Sequence, residues 1–158
     1  MQAEQERMMQ CLNAFDDFQR NFVYRVFRVD EGLALTATMK DVFHDIFLDV
    51  RVNPETMIIS GARVDFLKCP SEFCPRIDRA MAELTGTKIG KGMHKRLVEI
   101  FGGKDGCGNI RTILMGLLPL ALNAKAAEGI NDEDEMLEKI RKELTGTCVG
   151  YPSNYPAE

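Results

Sequence analysis

The feature that most limits the fold of this chain is a period-two alternation of apolar and polar residues in its first half. It runs through Leu33–Lys40, Phe43–Val52 and Met57–Lys68. Successive side chains of a β-strand point to opposite faces, so the pattern predicts strands with one buried face. In the last of them, the predicted buried face carries Ile58, Ala62, Val64 and Phe66. Short connections between the segments favour an antiparallel meander.

Two further segments precede this alternation. Asn21–Asp30 is rich in aromatic and branched residues and predicts another strand, so we expect an antiparallel sheet of three to four strands over about 21–68. Residues 3–19 predict an N-terminal helix, because Met8, Met9, Leu12, Phe15 and Phe18 recur near the helical period.

The second half predicts helices at about 76–84, 93–101, 107–128 and 132–144, with a kink at Pro119 and an N-cap at Asn131. Strands followed by helices indicate an α+β fold with helices on one face of the sheet. We expect a single domain over 1–158, in which 150–158 form an irregular or mobile tail.

Charge and composition exclude some classes of partner. The net charge is −4 and the pI about 5.3, which disfavours nucleic acid and anionic membranes. The sequence holds no apolar run near the roughly 20 residues that span a bilayer, and its N-terminal residues do not resemble a signal peptide. We therefore expect a cytoplasmic protein, a monomer or homodimer, that could bind a protein partner.

Five cysteines, Cys11, Cys69, Cys74, Cys107 and Cys148, are the main candidates for chemistry. Their number is odd, their spacing is uneven, and the chain shows no export signal. These features argue against a disulfide framework and for reduced thiols. Cys107 follows a glycine-rich loop at the start of a predicted helix, where backbone N–H groups stabilise a thiolate. The alternative is that Cys107 packs as a small apolar residue.

Cys69 and Cys74 are separated by four residues, a spacing that by itself is weak evidence for a metal site. The alternative is that they cap the cores of the sheet and of the helix. His44 lies on the predicted buried face of its strand, so its ring needs a polar partner. That partner could be a backbone carbonyl, Asp41 or a ligand. His94 lies among basic residues and is expected to be solvated.

The chain resembles a bacterial family catalogued only as a domain of unknown function. The matching segments are His44-Asp45, Pro70-Ser71-Glu72-Phe73-Cys74-Pro75, Leu84-Thr85-Gly86 and the loop from Gly102 to Ile110, spanning about residues 20–125. The family's last motif reads Gly-Gly-x-x-Gly-Cys-Thr-His-Leu. Here Asn109 stands in the place of its histidine, which implies an altered activity if that histidine is a ligand or a base.

More distantly, the chain resembles iron–sulfur cluster scaffold proteins of the NifU/IscU type. Leu48–Asn53 and Ala62–Cys69 are similar to their central hairpin. On that alignment Cys69 and Cys107 match two cluster-binding cysteines, and His44 replaces an aspartate. Val42 occupies the position of their first cysteine. The resemblance implies a NifU/IscU-like fold and, with one ligand missing, possible cluster chemistry only in altered form.

Together these observations predict a metal site formed by His44, Cys69, Cys74 and Cys107, suited to zinc or an iron–sulfur cluster. The predicted function is metal or sulfur handling, with a persulfide on Cys107 or Cys69 as another form of it. This hypothesis predicts low thiol pKa values. One alternative is a binding module without catalytic activity, whose cysteines are structural. Another is a hydrolase with Cys107 as nucleophile and His44 as base. The residues favour a protein that is not an enzyme.

Overall fold

The structure is a computed structural model and describes residues 15–154. These residues belong to two compact units, which divide between Ala124 and Lys125 and are described here one by one. The single domain expected over 1–158 stays a prediction. Within residues 15–154, none of the helices has the length and apolar character needed to cross a membrane.

The first unit contains a four-stranded antiparallel sheet. Its strands are β1 (Asn21–Val29), β2 (Gly32–Lys40), β3 (Asp45–Val52) and β4 (Ile59–Lys68), and they lie in the order β1-β2-β3-β4. Each strand pairs with the next one along the chain. The predicted meander is therefore confirmed, because tight connections leave antiparallel neighbours as the simplest pairing.

One face of the sheet is buried, as the alternation predicts. Leu35 pairs with Val50 and Ala37 with Leu48, and all four are at most 1% exposed. The prediction for β4 is wrong at its beginning. Ile58 is 38% exposed and Ile59 is buried, because the register with β3 shifts between Arg51 and Val52. An irregularity of one residue moves the following side chains to the other face.

Helices follow the strands, so the α+β class is confirmed. A 3₁₀ turn (Cys74–Ile77) leads into α1 (Asp78–Ala82), followed by α2 (Met93–Phe101), α3 (Gly108–Leu117) and α4 (Pro119–Ala126). The helix predicted over 107–128 is divided at Pro119, which has no N–H to continue α3 and begins α4. The apolar stripe of α3 is buried in the core with the sheet: Ile110, Ile113, Leu114 and Leu117.

The predicted N-terminal helix is not supported by the part of the chain that the structure describes. Residues 3–14 lie outside it, and residues 15–17 form a turn followed by 18–20 without regular structure. Phe15 and Phe18 stack on each other at 4.8 Å between ring centroids, and Phe43 joins them at 5.7 Å from Phe15.

The second unit contains α5 (Glu133–Leu144). The predicted N-cap at Asn131 is wrong by one residue, since the side chain of Asp132 accepts the N–H of Glu135 at 2.9 Å. The described part of the tail holds a bridge between Cys148 and Tyr151 and a turn, and the irregular or mobile character expected over 150–158 stays a prediction. Residues 155–158 lie outside the described chain.

Candidate functional site

Two groups of side chains in the first unit contain the four predicted site residues. His44 belongs to a ring of polar side chains between the start of β1, the β2–β3 connection and the start of α3. Cys69 and Cys74 are neighbours after β4, and Cys74 shares a groove with Cys107. We describe first the polar ring, defined as Arg20, Asp41, His44 and Asn109, and then the thiols.

Asp41 is the centre of the polar ring. Its Oδ1 accepts the backbone N–H groups of Phe43 and His44 at 2.7 and 2.8 Å, which shapes the β2–β3 connection as an Asx turn. The same oxygen lies 2.9 Å from Nδ1 of His44, and Oδ2 accepts Nε–H of Arg20 at 2.7 Å. The side chain is fully buried, so these four bonds replace its hydration.

Asn109 closes the ring on its other side. Arg20 Nη1 donates to Oδ1 of Asn109 at 3.0 Å, and Nδ2 of Asn109 lies 3.2 Å from Nε2 of His44. An arginine can only donate, so the oxygen of the amide must face it and the NH₂ group must face His44. Nε2 is therefore the acceptor, and Nδ1 carries the proton that is donated to Asp41. The closed ring defines a neutral imidazole.

The pKa of Asp41 reflects two opposed effects. Burial is the largest and raises it, but the hydrogen bonds from His44, Phe43 and Arg20 together lower the pKa from 3.8 to about 2. The carboxyl is therefore ionised at any physiological pH. The charge of the buried Asp41 carboxylate is balanced by the guanidinium of Arg20 and hydrogen-bonded by His44. Removing one of these partners would leave a buried charge without compensation.

The partner of His44 is thus Asp41, as one of the sequence alternatives states. Both ring nitrogens have partners within the polar ring, so the structure shows no contact of His44 with Cys107 in support of the hydrolase alternative, which stays a prediction. Sequence reasoning missed Arg20 as a site residue and treated Asn109 only as a departure from a motif. Arg20 and Asn109 are 89 positions apart, and no local pattern marks such a pair.

The second group begins with a pair of thiols. Sγ–H of Cys69 donates to the carbonyl of Ser71 at 3.3 Å, and the backbone N–H of Cys74 donates to the same carbonyl at 3.1 Å. Cys74 is also near enough to influence the pKa of Cys69. Burial, followed by the hydrogen bond and charge of Cys74, raises the pKa of Cys69. The expectation of a low thiol pKa is therefore wrong for Cys69.

Cys107 is presented by the glycine loop between α2 and α3. It is the N-cap residue of α3, with extended backbone (φ −141°, ψ 117°), and its carbonyl accepts the N–H of Arg111 at 3.0 Å. The loop before it needs glycine for two reasons. Gly103 has φ +69°, and a Cβ on Gly106 would lie 2.0 Å from the carbonyl oxygen of Phe101. The predicted placement of Cys107 at a helix start is confirmed.

Cys74 and Cys107 line an open groove of about 730 Å³. Its apolar floor includes Phe66 and Ile100, and its charged lining residues are Arg76, Arg79, Glu83, Lys104 and Asp105. The guanidinium of Arg76 lies 4.3 Å from the ring centroid of Phe73. Both half-buried thiols are therefore accessible from one surface that also offers apolar contact and charge.

The predicted four-ligand metal site has no geometric support so far. Among residues 15–154, no three His, Cys, Asp or Glu side chains are grouped so that they could hold a metal ion. His44 is engaged by the polar ring, and the thiol of Cys69 donates to the carbonyl of Ser71. Zinc or cluster binding by His44, Cys69, Cys74 and Cys107 stays a prediction. His94 is exposed, as expected.

Fold and site together define an α+β protein in which a meander sheet and four helices present a thiol-lined groove beside a closed polar ring. Residues 18–122 match the family described as "Protein of unknown function (DUF2889)", and the chain belongs to that family. The matched residues include the polar ring and the three thiols of the groove region. No curated protein and no solved structure matches the chain.

Proposed function

We propose that this protein handles sulfur by thiol–disulfide exchange at Cys69 and Cys74, with Cys107, which shares a groove with Cys74, as a third thiol. The observation that carries the proposal is the pairing of the first two thiols. Cys69 Sγ and Cys74 N meet at one carbonyl, that of Ser71, and Cys74 is near enough to help raise the pKa of Cys69. Two cysteines held at one carbonyl need less backbone movement to form a disulfide than two cysteines that lie far apart.

The reaction follows from the positions of the two thiols. The Cys74 thiolate, which lines the groove, attacks a disulfide R–S–S–R′, forms Cys74–S–S–R and releases R′–S⁻. The Cys69 thiol loses its proton to water, attacks Sγ of Cys74, forms the Cys69–Cys74 disulfide and releases R–S⁻. The substrate disulfide is reduced and the protein dithiol is oxidised. Once Cys74 is bonded to R it carries no negative charge, so one cause of the raised pKa of Cys69 is removed before the second attack.

The substrate class is a small-molecule or protein disulfide in a reducing compartment. We expect this reaction to take place in the cytoplasm, because thiols stay reduced there. If the motif Gly-Gly-x-x-Gly-Cys-Thr-His-Leu and the NifU/IscU likeness hold, we propose that related chains also use their cysteines for sulfur chemistry. In that wider form Cys107 would take the outer sulfur of a persulfide donor R–S–SH, releasing R–SH, or would bind a cluster with Cys69.

A peptide-mapping experiment tests the proposal. The reduced protein is incubated with a small cyclic disulfide, then alkylated and digested with trypsin. Trypsin cleaves after Lys68, Arg76, Lys104 and Arg111, so residues 69–76 hold Cys69 and Cys74 and residues 105–111 hold Cys107 alone. We expect the 69–76 peptide to lose two hydrogen atoms and to escape alkylation. Cys148→Ser is the matched control, because Cys148 is exposed in the second unit, and it should not change the result.

Full alkylation of both cysteines after this treatment would overturn the proposal. The binding-module alternative would then lead, and in it Cys74→Ser should affect stability alone. Elemental analysis of untagged protein tests the metal form of the hypothesis separately. About one zinc per chain, lost in Cys107→Ser, would favour metal handling instead.

A further inference from the structure

The open groove that Cys74 and Cys107 line, called here the thiol groove, has a basic wall on the side of Cys74. Arg76 and Arg79 line the groove on this side. Both residues are exposed, and within residues 15–154 neither forms an ion pair with a carboxylate. A guanidinium is always charged and offers several N–H donors in a planar fork that matches a carboxylate. Two such cations are therefore available to a ligand in the groove.

The helical backbone sets the spacing along this wall. The 3₁₀ turn Cys74–Ile77 continues into α1, since Ile77 and Asp78 at the junction have helical φ and ψ. A rise of about 2 Å per residue in the turn and about 1.5 Å in the helix places Arg76 about 4 Å and Arg79 about 9 Å from Cys74 along the axis. Glu83, the acidic lining residue of this wall, lies about 15 Å away by the same measure. The two cations are nearer to Cys74 than this carboxylate is.

Arg76 is held in place by an aromatic ring. Its guanidinium lies over Phe73, 4.3 Å from the ring centroid, and Phe73 also lines the thiol groove. Phenylalanine has no hydrogen-bond acceptor, so this contact orders the guanidinium and leaves its N–H groups for another partner. An ordered side chain loses less conformational entropy when it binds a ligand than a mobile one does.

The rest of the thiol groove adds little net charge. On the side of Cys107, the glycine loop contributes Lys104 and Asp105, whose charges are opposite and adjacent in the sequence. The floor includes Phe66 and Ile100, which offer apolar contact. The positive charge of the groove is therefore concentrated near Cys74, in a chain whose net charge is −4.

We infer that the thiol groove selects anionic disulfides, in which a carboxylate a few bonds from the sulfur binds Arg76 and Arg79 while Cys74 attacks that sulfur. This inference rests on the proposed thiol–disulfide exchange and names its substrate class. The Cys74 thiolate forms Cys74–S–S–R with the carboxylate-bearing arm R. The other arm leaves as R′–S⁻ with the electron pair of the broken S–S bond and takes a proton from water. The carboxylate itself is unchanged.

Three symmetric disulfides of similar size test the selection on the full chain: dithiodipropionate is anionic, hydroxyethyl disulfide is neutral and cystamine is cationic. The readout is the initial rate at which Cys74 in the tryptic peptide 69–76 escapes alkylation. Each rate is divided by the rate of the same disulfide with β-mercaptoethanol, which removes the intrinsic reactivity of the probe. We expect the anionic probe to exceed the cationic one about tenfold at low salt. Screening at about 0.5 M salt should reduce this preference.

Two variants locate the selection. Arg79→Gln should slow dithiodipropionate about fivefold and leave hydroxyethyl disulfide unchanged, because only the first probe carries a charge for Arg79 to bind. Lys91→Gln is the matched control. It removes the same charge from an exposed residue outside the lining of the thiol groove and should keep the wild-type rates. Neither variant alters the cleavage sites that release peptide 69–76.

The outcomes separate this inference from the function on which it rests. Equal normalised rates for the three disulfides, or equal slowing of dithiodipropionate in Arg79→Gln and Lys91→Gln, would overturn the selection of anions and leave the exchange reaction intact. If none of the three disulfides reacts with Cys74, the exchange reaction itself is overturned and the selection with it. The salt dependence of the wild type decides the inference if Arg79→Gln does not fold.

Discussion

The polar ring and the thiol groove both meet the beginning of α3, but they satisfy their polar groups in opposite ways. In the polar ring, both ring nitrogens of His44 and both carboxylate oxygens of Asp41 have partners inside the protein, and the carboxylate is fully buried. In the groove, Cys74 and Cys107 are half-buried and open to one surface. Within residues 15–154, no buried side-chain nitrogen or oxygen lacks a hydrogen-bond partner.

This difference teaches which region maintains the structure and which is available for chemistry. A closed ring of charge-assisted hydrogen bonds fixes the relative positions of three segments, and removing one member leaves buried charge behind. Thiols tolerate exposure and replacement better, since they contribute little polar bonding. The ring therefore supports the helix end on which Cys107 is presented, and the groove offers that thiol to a substrate.

The largest expected effect comes from breaking the ring at its centre. Asp41→Asn removes the charge that compensates Arg20, and replaces one acceptor by a donor. We expect a loss of about 3 kcal/mol in the free energy of unfolding, measured by urea denaturation. Asp45→Asn is the matched control, because its pair with Lys40 is more exposed and should cost less than about 1 kcal/mol. Equal losses for the two variants would contradict the structural role of the ring.

The next effect concerns the loop that presents Cys107. Gly106→Ala would place a Cβ 2.0 Å from the carbonyl oxygen of Phe101, so the loop must shift. We expect a destabilisation of about 1–3 kcal/mol, together with altered alkylation of Cys107. At Gly108 a Cβ meets nothing within 4 Å, and Gly108→Ala in α3 should be neutral or stabilising. A neutral Gly106→Ala would show that the loop is not fixed by this contact.

A smaller effect should appear in acid. The pKa of Asp41 is lowered to about 2 in the folded state from 3.8, so its charge stabilises the fold above about pH 4. That contribution, at most about 2 kcal/mol, is lost as the pH falls through about 2. Thermal unfolding between these pH values should show a steeper fall for the wild type than for Asp41→Asn. Parallel curves would mean that Asp41 does not carry this linkage.

The smallest expected effect is kinetic and lies in the groove region. Because burial and Cys74 raise the pKa of Cys69, less of it is thiolate near pH 8. We expect iodoacetamide to modify Cys69 several-fold more slowly than the exposed Cys148, as followed by tandem mass spectrometry. Cys74→Ser should bring the two rates closer. Equal rates in the wild type would contradict the raised pKa.

The sequence by itself determined the sheet and most of the helix order. Period-two alternation predicts which side chains of a strand face the core. Leu35, Leu48 and Val50 lie on that face and are buried. Pro119 and the glycine loop mark helix ends by local stereochemistry, which needs no partner elsewhere in the chain. The helix predicted over 3–19 shows the limit of periodicity, since residues 15–19 match the pattern and are not helical.

Only the tertiary structure decided how the candidate site residues are grouped. From the sequence, His44 could be a metal ligand, a catalytic base or a buried histidine with a hydrogen-bond partner. Packing of α3 against the sheet brought Asn109 to Nε2 of His44 and to Arg20, which is 89 positions away in the sequence, and so gave the histidine partners inside the protein. Hydrogen bonds depend on distance and direction in space, so a ring drawn from three segments leaves no period or spacing in the sequence.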